Sequence, residues 1–192
     1  MRFFNKYFFV GFGSGIILTI LLLVLTGFLL FKFAGPNEEK MRAMLRPPEF
    51  PSVQKASAFD EAGYWILWTL EGDEVRFSKL EGKVIFINLW ATWCQPCVLE
   101  MPSIQVLYET FKGEVVFLIA SKEGRDKVRE FYEDNNFTFP VYLVDSSLPE
   151  IFQTRGIPAT FIIDRNGNLV FQHVGSADWS APSCFDFIRN LL

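Results

Sequence analysis

Two kinds of hydrophobic pattern divide the chain. From Tyr7 to Phe31, 25 residues pass without a charge, most of them Ile, Leu, Val or Phe. As a helix this run is roughly 37 Å long at about 1.5 Å per residue, enough for one tilted crossing of a bilayer core about 30 Å thick. A buried core helix seldom stays uncharged for so long. A cleaved signal peptide would carry an apolar stretch of roughly 7–15 residues closing on a small-x-small site. This run closes on Phe31-Lys32-Phe33-Ala34, without such a site and without a nearby cysteine to accept a lipid. Residues 1–33 are therefore expected to form an uncleaved membrane anchor.

Beyond it, Gly35-Pro36 stops the helix, and Pro47, Pro48 and Pro51 stiffen an extended segment, so residues 34–57 read as a linker with a short helix over Glu38–Leu45. Residues 58–192 then alternate. Trp65–Leu70 and Val75–Phe77 flank Glu71-Gly72-Asp73-Glu74, a hairpin signal. Val84–Trp90 is apolar apart from Asn88, the pattern of a strand covered on both faces. Cys97–Phe111 carries a helical stripe of Val98, Met101, Ile104, Leu107, Tyr108 and Phe111. Val115–Ala120 and Val141–Val144 read as strands around a polar helix at Asp126–Asn135, and Leu148–Gln153 as a helical turn or two. Thr160–Ile163 and Leu169–His173 enclose an Asn166-Gly167 hairpin turn, and Ser180–Leu192 closes as an amphipathic helix. Strand–helix–strand followed by helix–strand–strand–helix predicts an α/β layer fold with a parallel part and an antiparallel end.

Charge sharpens this division. Eighteen Lys and Arg stand against 22 Asp and Glu, a net charge of −4. No acid precedes Glu38, whereas Arg2, Lys6 and Lys32 do, so the remainder carries 15 − 22 = −7. An acidic soluble part argues against nucleic-acid binding, which shows a basic face. Basic residues on both sides of the apolar run (Arg2 and Lys6 before it, Lys32, Lys40, Arg42 and Arg46 after it) leave its orientation undecided by charge. Three cysteines and one histidine are too few for a disulfide-stapled scaffold.

Candidate chemistry lies in Trp90-Ala91-Thr92-Trp93-Cys94-Gln95-Pro96-Cys97, between the end of a buried strand and the start of a helix. Helix N-termini present unpaired N–H groups and partial positive charge, which lower the pKa of a nearby thiol. Two intervening residues let the sulfurs close a small ring, with Cys94 expected exposed and Cys97 shielded. Pro96 suits the first turn, where its missing N–H has no partner. Two plainer readings stay open at this point. A structural zinc site would consume Cys94, Cys97, Cys184 and His173, with paired spacing only in the first two. A structural disulfide or buried thiol pair is the other. The strand–CxxC–helix placement favours a redox dithiol over both.

The segment Lys83–Pro102, KVIFINLWATWCQPCVLEMP, resembles the active-site region of the thioredoxin-like family, in particular its membrane-anchored TlpA/ResA-like branch. The likeness continues through Gly156-Ile157-Pro158-Ala159-Thr160-Phe161-Ile162-Ile163-Asp164 and Asn166-Gly167 and covers roughly residues 60–192. It implies a thioredoxin-like fold, a mixed central sheet flanked by helices, following one N-terminal transmembrane helix. It also implies reversible thiol–disulfide exchange outside the cytoplasm, often on cytochrome c maturation substrates or other exported cysteine proteins. By that analogy the anchor is single-pass in the bacterial cytoplasmic membrane, with the redox domain on the extracytoplasmic, periplasmic side.

The resemblance also assigns roles. Pro158 matches a proline that is cis in the family and turns the Ile157 backbone toward the dithiol, so Ile157 and Pro158 join Trp93, Gln95 and Pro96 as expected substrate-binding positions. Cytoplasmic thioredoxins carry a buried aspartate where this chain has Asn88, and an amide cannot titrate. The branch instead places a glutamate three residues after the second cysteine, which Glu100 matches. Cys94, Cys97 and Glu100 are thus the candidate catalytic residues, and Pro102 matches a helix-kinking proline. Trp90 is expected to pack beneath the site, Cys184 to be a buried inert thiol, and His173 to have no chemical role. Cys94 is expected to attack a client disulfide and Cys97 to resolve the mixed disulfide, with no bound cofactor and no metal. A membrane electron donor of the thioredoxin-recycling type would re-reduce the pair. Gln95-Pro96 offers no cation to the thiolate and Ile157 no side-chain hydrogen bond, so a reductant is expected rather than an oxidant. Copper delivery on the same fold is the alternative of a different class; it typically separates the cysteines by three residues and adds a histidine, for which His173 is the sole candidate.

Overall fold

In the computed structural model, residues 19–26, 43–50, 56–145 and 147–192 are described. The alternating segment forms β1 (Ala56–Ser57), α1 (Ala58–Ala62), β2 (Ile66–Thr69), β3 (Glu74–Arg76), β4 (Val84–Trp90) and α2 (Gln95–Phe111). It continues with β5 (Val115–Ser121), α3 (Arg125–Asn135), β6 (Val141–Leu143), β7 (Ala159–Ile163), β8 (Asn168–Val174) and α4 (Pro182–Arg189). Short 3-10 turns occupy Phe77–Leu80 and Glu150–Phe152.

One sheet runs in the order β1-β8-β7-β4-β5-β6-β2-β3. β4, β5 and β6 are parallel, and β7, β8 and the β2–β3 hairpin join antiparallel at the two sides. This is the expected mixed thioredoxin-like sheet. All seven residues of β4 are buried, which explains why the run is apolar apart from Asn88: helices cover both faces. Alternation along the strand splits it between two cores. Val84, Phe86 and Trp90 pack with the buried stripe of α2 and with Cys184 and Ile188 of α4. Ile85, Ile87 and Leu89 pack on the opposite side with α1 and the rings of Trp65, Phe77, Phe152 and Phe161. Asn88, by the same period, projects to the α2 side.

The segment 34–57 is not wholly a linker. A compact unit spans Met44–Leu192. Within it the Asp178 N–H donates to Arg46 O at 2.9 Å, and Phe50 stacks on Phe187 with centroids 4.1 Å apart. Ala56 and Ser57 pair with Leu169 and Asn168. Ser57 also caps α1, accepting from the Asp60 N–H. Three prolines made this stretch look unpaired, yet an edge strand and a ring in a surface groove need only two or three residues each.

Residues 19–26 are helical, with the Thr26 hydroxyl donating to the Leu22 carbonyl. Among the described residues no helix is long and apolar enough to cross a membrane. The rest of the 7–31 run lies outside the described residues, as does the short helix expected over Glu38–Leu45 except for a turn at residues 43–44.

The β7–β8 turn locks the sheet to α1. Gly167 has φ +81°, and its carbonyl accepts from the Ala58 N–H at 2.7 Å. A Cβ at Gly167 would stand 2.6 Å from Cδ2 of Phe59. Gly167→Ala should therefore lower unfolding stability by about 1–3 kcal/mol, from the positive φ and the clash together. Denaturant unfolding measures it, and a loss below about 0.5 kcal/mol would show that the Phe59 ring yields freely.

Candidate active site

The site begins where β4 runs out of partners. After Trp90 a turn closes with the Cys94 N–H donating to Ala91 O at 3.1 Å, and Cys94 becomes the N-cap of α2 with extended φ/ψ of −84° and 93°. Its sulfur lies over the helix start and accepts the Cys97 N–H at 3.3 Å. Pro96 lies in the first turn, as its missing donor allows. The two sulfurs are bonded at 2.02 Å, with Cα atoms 5.2 Å apart. The expectation that Cys94 stands exposed needs correction. It is 4% exposed and Cys97 fully buried, because an N-capping sulfur folds back over the helix rather than out to solvent. The accessible surface comes instead from Trp93, 70% exposed, and from Gln95 and Pro96.

The turn is tied from its other side by Glu123, which the sequence reading passed over. Glu123 accepts from the Thr92 N–H at 2.5 Å and from the Thr92 hydroxyl at 3.0 Å, and pairs with Lys127. Burial alone would raise its pKa, but the bonds from Lys127 and Thr92 outweigh that and lower it. The available signal was topological. Trp90 and Ser121 are register partners, so the residues just after β5 lie beside those just after β4.

Beneath the disulfide lies Glu100, one turn after Cys97 on α2. A carboxylate on a helix face is ordinarily solvated; this one is completely buried. Asn88 Nδ2 donates to Oε1 at 2.8 Å, while the Ala177 N–H and the Trp179 indole N–H donate to Oε2 at 2.9 and 3.0 Å. Asn88 Nδ2 also reaches the Thr160 hydroxyl at 3.0 Å. No cation is paired with Glu100 among the described residues. Burial pushes its pKa up from 4.5 to about 7, against the lowering effect of the three N–H donors. Asn88 therefore holds the acid found on the neighbouring helix instead of replacing it. Its Oδ1 is buried and meets no hydrogen-bond partner among the described residues. Ser103 secures the same loop, accepting the Trp179 backbone N–H at 3.0 Å and donating to Glu100 O at 2.7 Å. Ala177 and Trp179 carried no sequence signal, being 77 and 79 residues downstream of Glu100.

The Ile157–Pro158 bond is cis. Pro158 is buried, its carbonyl accepting the Gly175 N–H at 2.9 Å, and Ile157 is partly exposed beside an open cavity of about 440 Å³ that Lys122 and Arg155 also line. Trp90 is buried against the Phe131 ring. Cys184 is buried, its thiol directed at Asp178 O at 3.4 Å and pushed up to about 12 by burial. His173 stacks beside Phe171 and meets Trp179 edge-on, and burial lowers its pKa. Among the described residues, which include every Cys and His, no three His, Cys, Asp or Glu side chains form a group that could hold a metal ion.

Residues 54–172 match the AhpC/TSA family. The chain is 35% identical over 130 residues to the thiol-disulfide oxidoreductase ResA of Halalkalibacterium halodurans, covering 66% of this chain and 73% of that one. It is 32% identical over 164 residues to ResA of Bacillus anthracis, covering 81% and 85%. Among solved structures it is similar to a candidate thiol-disulfide oxidoreductase from Bacteroides vulgatus (TM-score 0.59, 27% identity, 67% of this chain and 92% of that one). The exposed lipoprotein thioredoxin of Streptococcus pneumoniae shares the fold at 24% identity (TM-score 0.57, 66% and 98% covered).

The enclosure of Glu100 has a consequence for stability. Below about pH 4.5 the carboxyl is protonated in both folded and unfolded chains. Between there and about pH 7 the unfolded chain releases this proton and the folded one keeps it. Stability should therefore fall as pH rises through that window, by a contribution on the order of 3 kcal/mol. Denaturant unfolding of the oxidised protein across this range should show the decline, and Glu100→Gln should remove that component. Equal pH slopes for the two proteins would contradict the buried placement.

Proposed function

Because the chain belongs to the AhpC/TSA family and is one of its thioredoxin-like thiol–disulfide oxidoreductases, we propose that it is a membrane-anchored, extracytoplasmic reductase of disulfides in exported client proteins. The observation that carries the reading is the Cys94–Cys97 disulfide on the first turn of α2, with the Cys97 N–H on the Cys94 sulfur and Glu100 enclosed one turn below.

In the reduced enzyme the same N–H and the helix start stabilise a Cys94 thiolate. That thiolate attacks one sulfur of the client disulfide, forming a mixed disulfide and releasing the other client sulfur as a thiolate. Cys97 then yields its proton to ionised Glu100, whose pKa of about 7 suits a proton exchanged near neutrality. It attacks the Cys94 sulfur, the second client sulfur leaves, and the enzyme returns to the disulfide form. Two electrons pass from the dithiol to the client, and a membrane dithiol donor of the thioredoxin-recycling type would restore them.

Trp93, Gln95 and Pro96 present the accessible face around the sulfurs, and Ile157 with Pro158 offers backbone groups to an extended client segment. Disulfide-containing proteins are the substrate class that the family implies; cytochrome c maturation proteins are the proposed clients. The 25-residue uncharged run supports a membrane anchor, and the resemblance to the TlpA/ResA-like branch favours the bacterial cytoplasmic membrane with the redox domain on the periplasmic side.

Direction follows from charge. The dipeptide Gln95-Pro96 adds no cation beside Cys94, and ionised Glu100 disfavours further negative charge near the pair, raising the thiol pKa. The potential should lie nearer that of thioredoxin, about −270 mV, than that of DsbA, about −120 mV.

Three measurements test the reading. Cys94→Ser should abolish disulfide reduction, whereas Cys97→Ser should accumulate mixed disulfides; normal turnover by Cys97→Ser would refute the resolving role. Equilibration against glutathione followed by Trp fluorescence gives the potential, and a value above about −180 mV would replace the reductant with an oxidant. A membrane-impermeant thiol reagent should label the reduced protein in intact spheroplasts, and labelling only after lysis would invert the topology.

A further inference from the structure

The three donors around Glu100 are not equivalent. Oε2 faces two N–H groups, from the Ala177 backbone and the Trp179 indole, while Oε1 faces one, from Asn88. A backbone amide and an indole are donors only and cannot accept from a carboxylic O–H. Asn88 differs, because its amide also carries an acceptor, the buried Oδ1, which meets no hydrogen-bond partner among the described residues. We infer that Trp179 is a positioning residue for Glu100: with the Ala177 amide, its indole N–H clamps Oε2 and leaves Oε1, beside Asn88, as the oxygen that carries the proton.

The indole is well placed to act as a fixed donor. Trp179 is buried, its ring meets Phe86 and Phe171 edge-on at 5.1 and 6.1 Å, and its backbone N–H is held by Ser103. The ring cannot follow the carboxyl if that group turns, so rotation of Glu100 would cost the charge-assisted bond. A proton on Oε1 meets the Asn88 amide, which by turning over can present Oδ1 to it. The Thr160 hydroxyl, now an acceptor from Asn88, can donate to the turned amide. In this arrangement Asn88 follows the protonation state and Trp179 does not. The consequence for exchange rests on the reading of Glu100 as the proton partner of the dithiol.

Other titratable groups near this network are few. Cys94 and Cys97 share α2 with Glu100. Asn88 of β4 and Thr160 of β7 carry no charge. Asp178, in the same loop as Trp179, is engaged by the Ser180 N–H and hydroxyl. His173 of β8 lies against the Trp179 ring, with centroids 6.3 Å apart.

The test uses the full-length oxidised protein with nitrogen-15 in its tryptophan indoles. The Trp179 resonance is assigned by its loss in Trp179→Phe. It should move through a single midpoint near pH 7 and stay still in Glu100→Gln. Trp179 is then replaced by benzothienylalanine, an isostere that keeps the ring and lacks the N–H, so that a folding failure of Trp179→Phe leaves the inference testable. The Glu100 carboxyl, followed by carbon-13, should then titrate about one pH unit higher, roughly a tenfold change in its ionisation constant. In the reduced protein the pH profile of Cys94 alkylation should shift with it. An indole resonance that ignores the Glu100 titration, or an unchanged Glu100 midpoint in the isostere, overturns the inference. A moved Glu100 midpoint with an unmoved alkylation profile upholds the inference and sinks the proton-partner role of Glu100 instead.

Discussion

An enclosed carboxylate with no counter-cation among the described residues is the constraint that the site is built around. Burying a charge is costly unless it is hydrogen-bonded on every side. Glu100 meets that demand with three neutral N–H groups drawn from β4 and from the loop before α4. Each donor has its own support. Asn88 is fixed in the central strand, while Ser103, one turn further along α2, holds the backbone of the loop that supplies the other two. Even so, burial prevails and the group titrates near neutrality. A lysine or arginine in the same place would have held it ionised through neutral pH.

Two electrostatic influences meet at the dithiol and oppose each other. The start of α2 stabilises negative charge on Cys94, through the Cys97 N–H and the partial charge of the helix terminus. Glu100, when ionised, acts in the opposite sense on the same pair. Their balance sets how far the thiols are acidified, and hence whether the disulfide is a strong oxidant or a stable one. Lys127, a cation close to this turn, is paired with Glu123, which also braces Thr92.

The exposed surface around the dithiol is made by other residues than this buried network. The sulfurs themselves are covered, whereas Trp93, Gln95 and Pro96 stand at the surface and Ile157 borders an open cavity. Trp93, Gln95 and Pro96 carry no charge, whereas the cavity beside Ile157 is also lined by Lys122 and Arg155.

Much of this was legible in the chain itself, for a simple reason: local patterns report local requirements. The apolar run of β4, interrupted by Asn88, the stripe of α2, the Asn166-Gly167 turn and the CxxC at a strand–helix junction each follow from spacing within about a dozen residues. Glu100 and Pro158 were visible only through resemblance. What the tertiary structure alone decided involves partners distant in sequence. Whether Glu100 is a solvated helix residue or an enclosed acid depends on a loop 77–79 residues later, folded over α2 by the packing of α4 and Phe50 on the same face. Asn88 likewise read as the loss of an acid, and only the contact across to α2 made it a partner of one. Burial of Cys94 was missed because an N-capping sulfur can be turned in or out, and the side-chain rotation that separates these is not encoded in residue spacing.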